Sequence, residues 1–241
     1  MTVRSLPGRF WLVTLAAVLA VVVTVALGFW QLSRAAQKLA LQATMDQRLQ
    51  EPVLDGSSLL QPVAPGEHLY RRTVVRGTWL AAHTVFLDNR QMNGKPGFFA
   101  VTPLQLENST QAVLVQRGWV ARNFVDRTSV PALPVPAGVV ELEARIAPPP
   151  SKLYDFDASQ AGVIRQNLDL ERFSREIGRP LVGVSLLQTA PAGDGLLREW
   201  PRVNVGVEKH YGYAFQWFAL GGLITLLYGW FQIVRRFIPS R

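Results

Sequence analysis

The sequence predicts an α+β membrane protein. Two transmembrane helices, one N-terminal and one C-terminal, flank an extracytoplasmic antiparallel β-rich domain carrying one or two helices. Three observations predict it. No charged side chain lies between Arg9 and Arg34, or between His210 and Arg235, a gap of 24 residues in each case. At about 1.5 Å per residue each makes a helix of roughly 36 Å, enough to cross a hydrocarbon layer of about 30 Å. All 17 acidic residues fall between the two runs. Within that middle segment the texture is of short runs rich in Val, Thr, Phe and Trp, separated by turn residues, as in a compact antiparallel sheet or barrel.

The first span, 10–33, has a core from Trp11 to Leu27 made almost wholly of Leu, Val, Ala and Thr. A cleaved secretory signal is the alternative, but the apolar stretch exceeds the usual length and no small-x-small cleavage site follows, so an uncleaved anchor is expected. The second span, 210–234, carries no charge on any face from Phe215 to Val234, which argues against a buried soluble helix. The tails 1–9 and 235–241 hold Arg4, Arg9, Arg235, Arg236 and Arg241 and no acid; these five leave 20 bases against 17 acids in the middle. The net charge of +8 therefore sits mainly in two short tails, and no nucleic-acid footprint is read from it. A central domain of about 175 residues, 34–209, is translocated largely regardless of charge, whereas short basic tails resist crossing. Both tails are expected in the cytoplasm. The domain is expected in the periplasm, on a bacterial inner (plasma) membrane, or outside the inner membrane of a mitochondrion.

After the first span, residues 33–50 keep helical character, with Leu39, Met45 and Leu49 as candidate core contacts. The strand candidates are RTVVRGTWL, HTVFLDN, GFFAVTPL, QAVLVQRGWV and GVVELEARI, with Asn93, Gly94, Pro96 and Gly97 marking a turn between the second and third. The proline-rich stretches 130–138 and 147–151 read as extended linkers. NLDLERFSREIGRP predicts one helix: Asp169 caps it, Leu170, Phe173 and Ile177 share a face, Glu171 pairs with Arg175, and Gly178 with Pro180 ends it.

No cysteine is present, which removes disulfides, a thiolate nucleophile, covalent haem attachment and paired copper thiols. No nucleotide loop, nucleophile elbow or HExxH pair occurs. Asp155 and Asp157 form only a weak acid pair, more simply a surface loop. The three histidines, His68, His83 and His210, are too scattered for a local metal motif. His210 opens HYGYAFQWFAL, and on a helix His210, Tyr213, Ala214 and Trp217 make one stripe continued by Gly221. A neutral imidazole above flat and small side chains can ligate haem iron. An interfacial histidine among belt aromatics is the competing reading.

LGFWQLSRAAQK, YRRTVVRGTW, GFFAVTPL, VLVQRGWVARN and HYGYAFQWFAL together resemble the Surfeit-locus (Surf/Shy) family of cytochrome oxidase assembly factors. LGFWQLSRAAQK is similar to the family signature at the outer end of the first span, with Gly28, Trp30, Gln31, Arg34 and Lys38 in register. YRRTVVRGTW, GFFAVTPL and VLVQRGWVARN resemble its strand motifs in order, through Tyr70, Arg71, Gly77, Gly97, Thr102, Pro103, Arg117, Gly118 and Trp119. HYGYAFQWFAL resembles its closing motif at His210, Tyr213, Gln216 and Trp217. Residues 148–200 match more loosely. The resemblance implies a non-enzymatic factor that holds haem a transiently and assists its insertion into the catalytic subunit of cytochrome c oxidase. It implies His210 as iron ligand, and that oxidase subunit, haem a synthase and membrane lipid as partners. On this reading Tyr213 and Trp217 pack the macrocycle in a lateral slot between the spans, and Arg34 or Lys209 meets the propionates. Gln31 and Gln216 would bond to each other across the spans. Gly77, Gly97 and Gly118 permit turns or bulges, and Arg117 is either a docking point or a packed arginine. A scaffold that stabilises the unfinished subunit without touching haem is the alternative; an anchored enzyme would need a cleft of convergent titratable groups.

Overall fold

A computed structural model describes residues 8–61, 64, 66–126, 128–153, 162–190, 193–200 and 206–235. The chain forms two compact units, Met1–Ala43 with Arg202–Arg241, and Thr44–Pro201. Helix α1 (Gly8–Gln50) is unbroken, so the helical residues after the first apolar run continue it, as expected. Of the three candidate contacts there, Met45 is buried, Leu49 is half-buried and Leu39 is exposed. Helix α3 (Val207–Tyr228) continues into a π-helical segment, Gly229–Val234. Both helices are long and apolar enough to cross a membrane, and their apolar windows are only 11% and 6% buried. A core helix of a water-soluble domain would hide such a surface; here Leu15 and Phe215 are more than 70% exposed.

Among the described residues of the second unit, eight strands form one sheet: β1 (Leu54–Asp55), β2 (Arg72–Trp79), β3 (Val85–Met92), β4 (Lys95–Leu106), β5 (Ala112–Ala121), β6 (Val139–Ala147), β7 (Ile164–Arg165) and β8 (Leu181–Gln188). Their spatial order is β1-β2-β6-β8-β5-β4-β3-β7, and β2 also pairs with β4. That extra pairing closes β2, β6, β8, β5 and β4 into a five-stranded barrel, with β3 and β7 extending the sheet beyond β4. Val75, Leu104, Val113, Val115, Leu142, Ile146 and Leu186 belong to one buried cluster, contributed by all five barrel strands through the two-residue alternation of side chains.

The five strands read from the sequence are all present, but the sheet is mixed rather than antiparallel. β1 runs parallel to β2, β7 to β3 and β8 to β5. The chain returns through helix α2 (Leu170–Ile177) and delivers β8 in the same direction as β5. A single strand's pattern carries its faces and not its direction, so only the return path decides parallel or antiparallel pairing. α2 itself is as expected: Asp169 accepts from the Arg172 N–H, Gly178 ends the helix at φ 65°, and Phe173 and Ile177 are buried against Val85, Leu87, Val101 and Leu114. Arg175, however, sends its Nε to the Glu171 carbonyl oxygen rather than to its carboxylate.

Asn93 and Gly94, at φ 51° and 75°, make the two-residue turn between β3 and β4, where Met92 faces Lys95. Pro96 and Gly97 lie inside β4 rather than in the turn. Gly97 is required by close approach: a Cβ there would sit 2.3 Å from the Val120 carbonyl oxygen and 2.5 Å from the Trp119 ring. Gly77 does the same where β2 meets β4, with the Gln105 carbonyl oxygen 2.2 Å from such a Cβ. Both were expected at turns or bulges; both instead let neighbouring strands touch. Gly118 does adjoin a bulge, since Ala100 pairs with Gly118 and Val101 with Gln116, leaving Arg117 unpaired.

Candidate functional site

Within the helical unit, α1 and α3 pack antiparallel along a seam of small residues. Thr14 bonds Tyr228 (2.7 Å), Thr24 adjoins Gly221 and Gly28 adjoins Phe218, and Gln31 meets His210. Thr24, Gly28 and Ala35 on one helix and Ala214 and Gly221 on the other are buried. Small residues let the two backbones approach closely. A Cβ at Gly28 would lie 2.6 Å from the Phe218 ring, and one at Gly221 2.9 Å from Thr24 Oγ1. About 26 Å of helix axis separates the Thr14 contact from the Gln31 contact, so the two interhelical polar pairs stand near opposite ends of an apolar span.

His210 is half-buried, with Nδ1 2.7 Å from Gln31 Oε1. An amide oxygen only accepts, so Nδ1 carries the hydrogen in this bond, and in the neutral ring Nε2 then keeps its lone pair. Among the described residues no hydrogen bond involves Nε2. The expected Gln31–Gln216 pair is absent, and Gln216 is exposed. Six helical residues after His210 amount to about 600°, which turns Gln216 well off the seam that His210 faces.

The slot expected between the two helices is closed. About two turns along α3 from His210, Phe218 lies against Gly28, and Phe29 packs edge-on against it with centroids 5.3 Å apart. Those phenylalanines seal one side of the seam. At about 100° per residue, Arg34 and Trp30 on α1 and Tyr213 and Trp217 on α3 fall toward the other side. The sequence-predicted residues Tyr213, Trp217 and Arg34 thus fall on one side of the seam that His210 faces, while Ala214 and Gly221 of the same predicted stripe go into the seam with it. Tyr213 is 52% exposed, Trp217 is half-buried and Lys209 is exposed. Arg34 lies with Cζ 5.7 Å over the Trp30 ring and donates to Gln37 Oε1 at 3.1 Å.

The motif residues of the β-domain hold the barrel together. The Tyr70 N–H donates to the Ile146 carbonyl (2.8 Å), Arg71 pairs with Glu51 (2.9 Å), buried Thr102 meets the Thr84 hydroxyl, and Trp119 Nε1 donates to the Arg90 carbonyl (2.9 Å). Asp155 and Asp157 lie outside the described residues. Among the described residues no group of three or more His, Cys, Asp or Glu side chains comes together.

The profile of the SURF1 family matches residues 18–222, a stretch that contains the whole seam from Thr24 to Gly221. The chain belongs to the SURF1 family. A SURF1-like protein of Rickettsia bellii is 25% identical over 230 residues, covering 91% of this chain and 89% of its own length. One from Drosophila melanogaster is 27% identical over 231 residues, 88% of this chain and 75% of its own. The cytochrome oxidase assembly protein SHY1 of Saccharomyces cerevisiae is 28% identical over 99 residues, 41% of this chain and 25% of its own length.

Proposed function

We propose that this protein is an assembly factor for haem-copper cytochrome c oxidase that binds haem a at the membrane and assists its insertion into the catalytic subunit. The similarity to a yeast protein named for oxidase assembly supports the process. The contact between His210 Nδ1 and Gln31 Oε1 carries the haem reading. It orients the imidazole so that Nε2 is the free donor, the arrangement found behind metal-ligating histidines.

A porphyrin supplies four nitrogens to its own iron, so a single axial imidazole completes the attachment, and a lone histidine suits this cargo better than it suits a bare metal ion. His210 holds the iron through Nε2 and Gln31 keeps the ring in that tautomer. Tyr213 and Trp217 offer flat apolar surface on one side of the seam, and Arg34 supplies charge-assisted donors for carboxylates at the outer end. With the seam closed, the seat is the flank of the helix pair. The flank opens sideways to lipid, which is a favourable solvent for the apolar tail of haem a and spares it passage through water. On this reading α1 and α3 span the inner membrane, the barrel domain stands on the periplasmic side, and the catalytic subunit collects the haem laterally. Haem a synthase is the source of the cargo, and the role is binding without turnover.

Replacement of His210 by alanine, in a host that makes haem a, is expected to yield protein with little haem and an altered absorption spectrum. Unchanged haem content in that variant would remove the ligand role and favour the haem-free scaffold.

A further inference from the structure

The barrel has a charged mouth. β2 runs antiparallel to β6, β6 antiparallel to β8, and β8 parallel to β5. The C-terminal ends of β2, β5 and β8 therefore emerge together beside the N-terminal end of β6. A cavity of about 340 Å³ opens there, bounded by Trp79, Arg117, Leu142, Gln188, Asp194 and Arg198; barrel mouths are a favoured place for ligand sites.

The bulge in β5 delivers Arg117 to this mouth. Its side chain is only 4% exposed and its guanidinium lies 5.1 Å over the Trp79 ring. Nη2 donates to the Pro134 carbonyl at 2.8 Å and to Asp194 Oδ2 at 3.4 Å, but among the described residues Nε and Nη1 have no partner. Arg198, 8% exposed, donates from Nε to the Arg117 carbonyl and from Nη2 to Asp194 Oδ2, each at 2.7 Å, and its Nη1 is likewise unpartnered. Two buried cations thus share one carboxylate. Glu141, the other acid at the cavity, is exposed on the rim and solvated. Burial holds the Arg117 guanidinium below its ordinary pKa, with Asp194 opposing, as befits a charge that is short of compensation. Leaving buried N–H donors unmet is costly, most of all on a charged group.

We propose that this mouth binds a single carboxylate carried on an apolar body. A monoanion balances the one surplus charge, where a phosphate dianion would exceed it. Trp79, Leu142 and Val140 supply the apolar wall, and Gln188 Oε1, also buried with no partner among the described residues, adds an acceptor for a ligand that carries an N–H beside its carboxylate, as a polypeptide terminus does. The same chemistry is presented by a small organic acid and by the C-terminus of a polypeptide.

The test is calorimetric titration of the full-length protein in detergent with benzoate and with N-acetylphenylalanine, which stands in for a chain terminus. Benzamide serves as the uncharged control and inorganic phosphate as the dianion. Saturable binding of at least one acid and none of benzamide is expected. Tighter binding of N-acetylphenylalanine assigns the site to a polypeptide terminus, and tighter binding of benzoate to a free acid. Arg117→Gln should raise the Kd at least about tenfold, from the loss of a charged donor. Because that change also touches the barrel, Val140→Phe at the half-buried rim should block binding while leaving every charge in place. The proposal is overturned if neither acid binds saturably, if benzamide binds as well as benzoate, if phosphate binds more tightly than both acids, or if both variants bind as the parent does.

Discussion

Replacing Gln31 by leucine tests whether the seam prepares His210 for iron. Leucine matches glutamine closely in volume but removes the acceptor 2.7 Å from Nδ1. The ring then either keeps its hydrogen on Nδ1, facing an apolar wall, or moves it to Nε2 and loses the outward lone pair. The tautomer that can ligate becomes less favourable by the cost of one unmet donor, about 1–3 kcal/mol. That equals roughly a 10–100-fold loss of haem affinity, the range seen when partners behind metal-bound histidines are removed. The assay is optical titration of haem a into the full-length, haem-free protein in detergent. It is paired with nitrogen-15 spectra of the haem-free protein, which report directly which ring nitrogen carries hydrogen. Gln31→Glu, which keeps an acceptor, should restore most of the affinity. If Gln31→Leu binds haem as the parent does, or if the haem-free parent carries its hydrogen on Nε2, the tautomer argument is refuted even where His210→Ala shows His210 to be the ligand.

Two further outcomes follow from the barrel domain. Gly77→Ala drives a methyl group into the Gln105 carbonyl, 2.2 Å away, and prises β2 from β4; overpacking of this kind costs about 1–3 kcal/mol, and thermal melting followed by circular dichroism should show the loss, while an unchanged melt would mean the barrel is not closed at that pairing. Glu176 accepts from Arg165 Nη1 at 2.8 Å and from Nη2 at 2.5 Å, and these bonds hold its carboxyl below the usual value of 4.5. Because the folded pKa is depressed, the pair's stabilisation is fully present above that value and fades as pH falls through the lower, folded one. The melting-temperature gap between the parent and Glu176→Gln should therefore be constant from neutral pH down to about 5 and shrink below about 4; a gap that widens in acid would contradict it.

The two long apolar helices, the helix of residues 170–177 and five of the strands were legible because each is a local pattern. An uncharged run of membrane length, an i, i+3, i+7 apolar face behind a capping Asp169, and Val- and Phe-rich alternation between turns all act on neighbouring residues. His210 stood out for a similar reason, as a histidine at the head of an apolar run. Its partner did not. Sequence reasoning matched Gln31 with Gln216 because both are amides near the outer ends of the apolar helices, and missed that the packing of α1 on α3 brings Gln31 to His210. Strand β8 escaped notice for a different reason: in LVGVSLLQ apolar residues do not alternate strictly with polar ones, and its place depends on β5 and β6 lying on either side of it.

By itself the sequence determined which segments are long and apolar enough to enter lipid, which faces must be buried, and that one histidine stands at the head of an apolar helix. These follow from side-chain polarity at helical or strand spacing. Tertiary structure alone decided which residues meet across 179 positions of chain, as Gln31 and His210 do. It decided that Phe218 closes the space where a slot was expected, and that Arg117, Arg198 and Asp194 converge at the mouth of a mixed barrel. Distances between residues remote in sequence are set by how elements pack and in which direction strands run, and no pattern confined to one element carries that information.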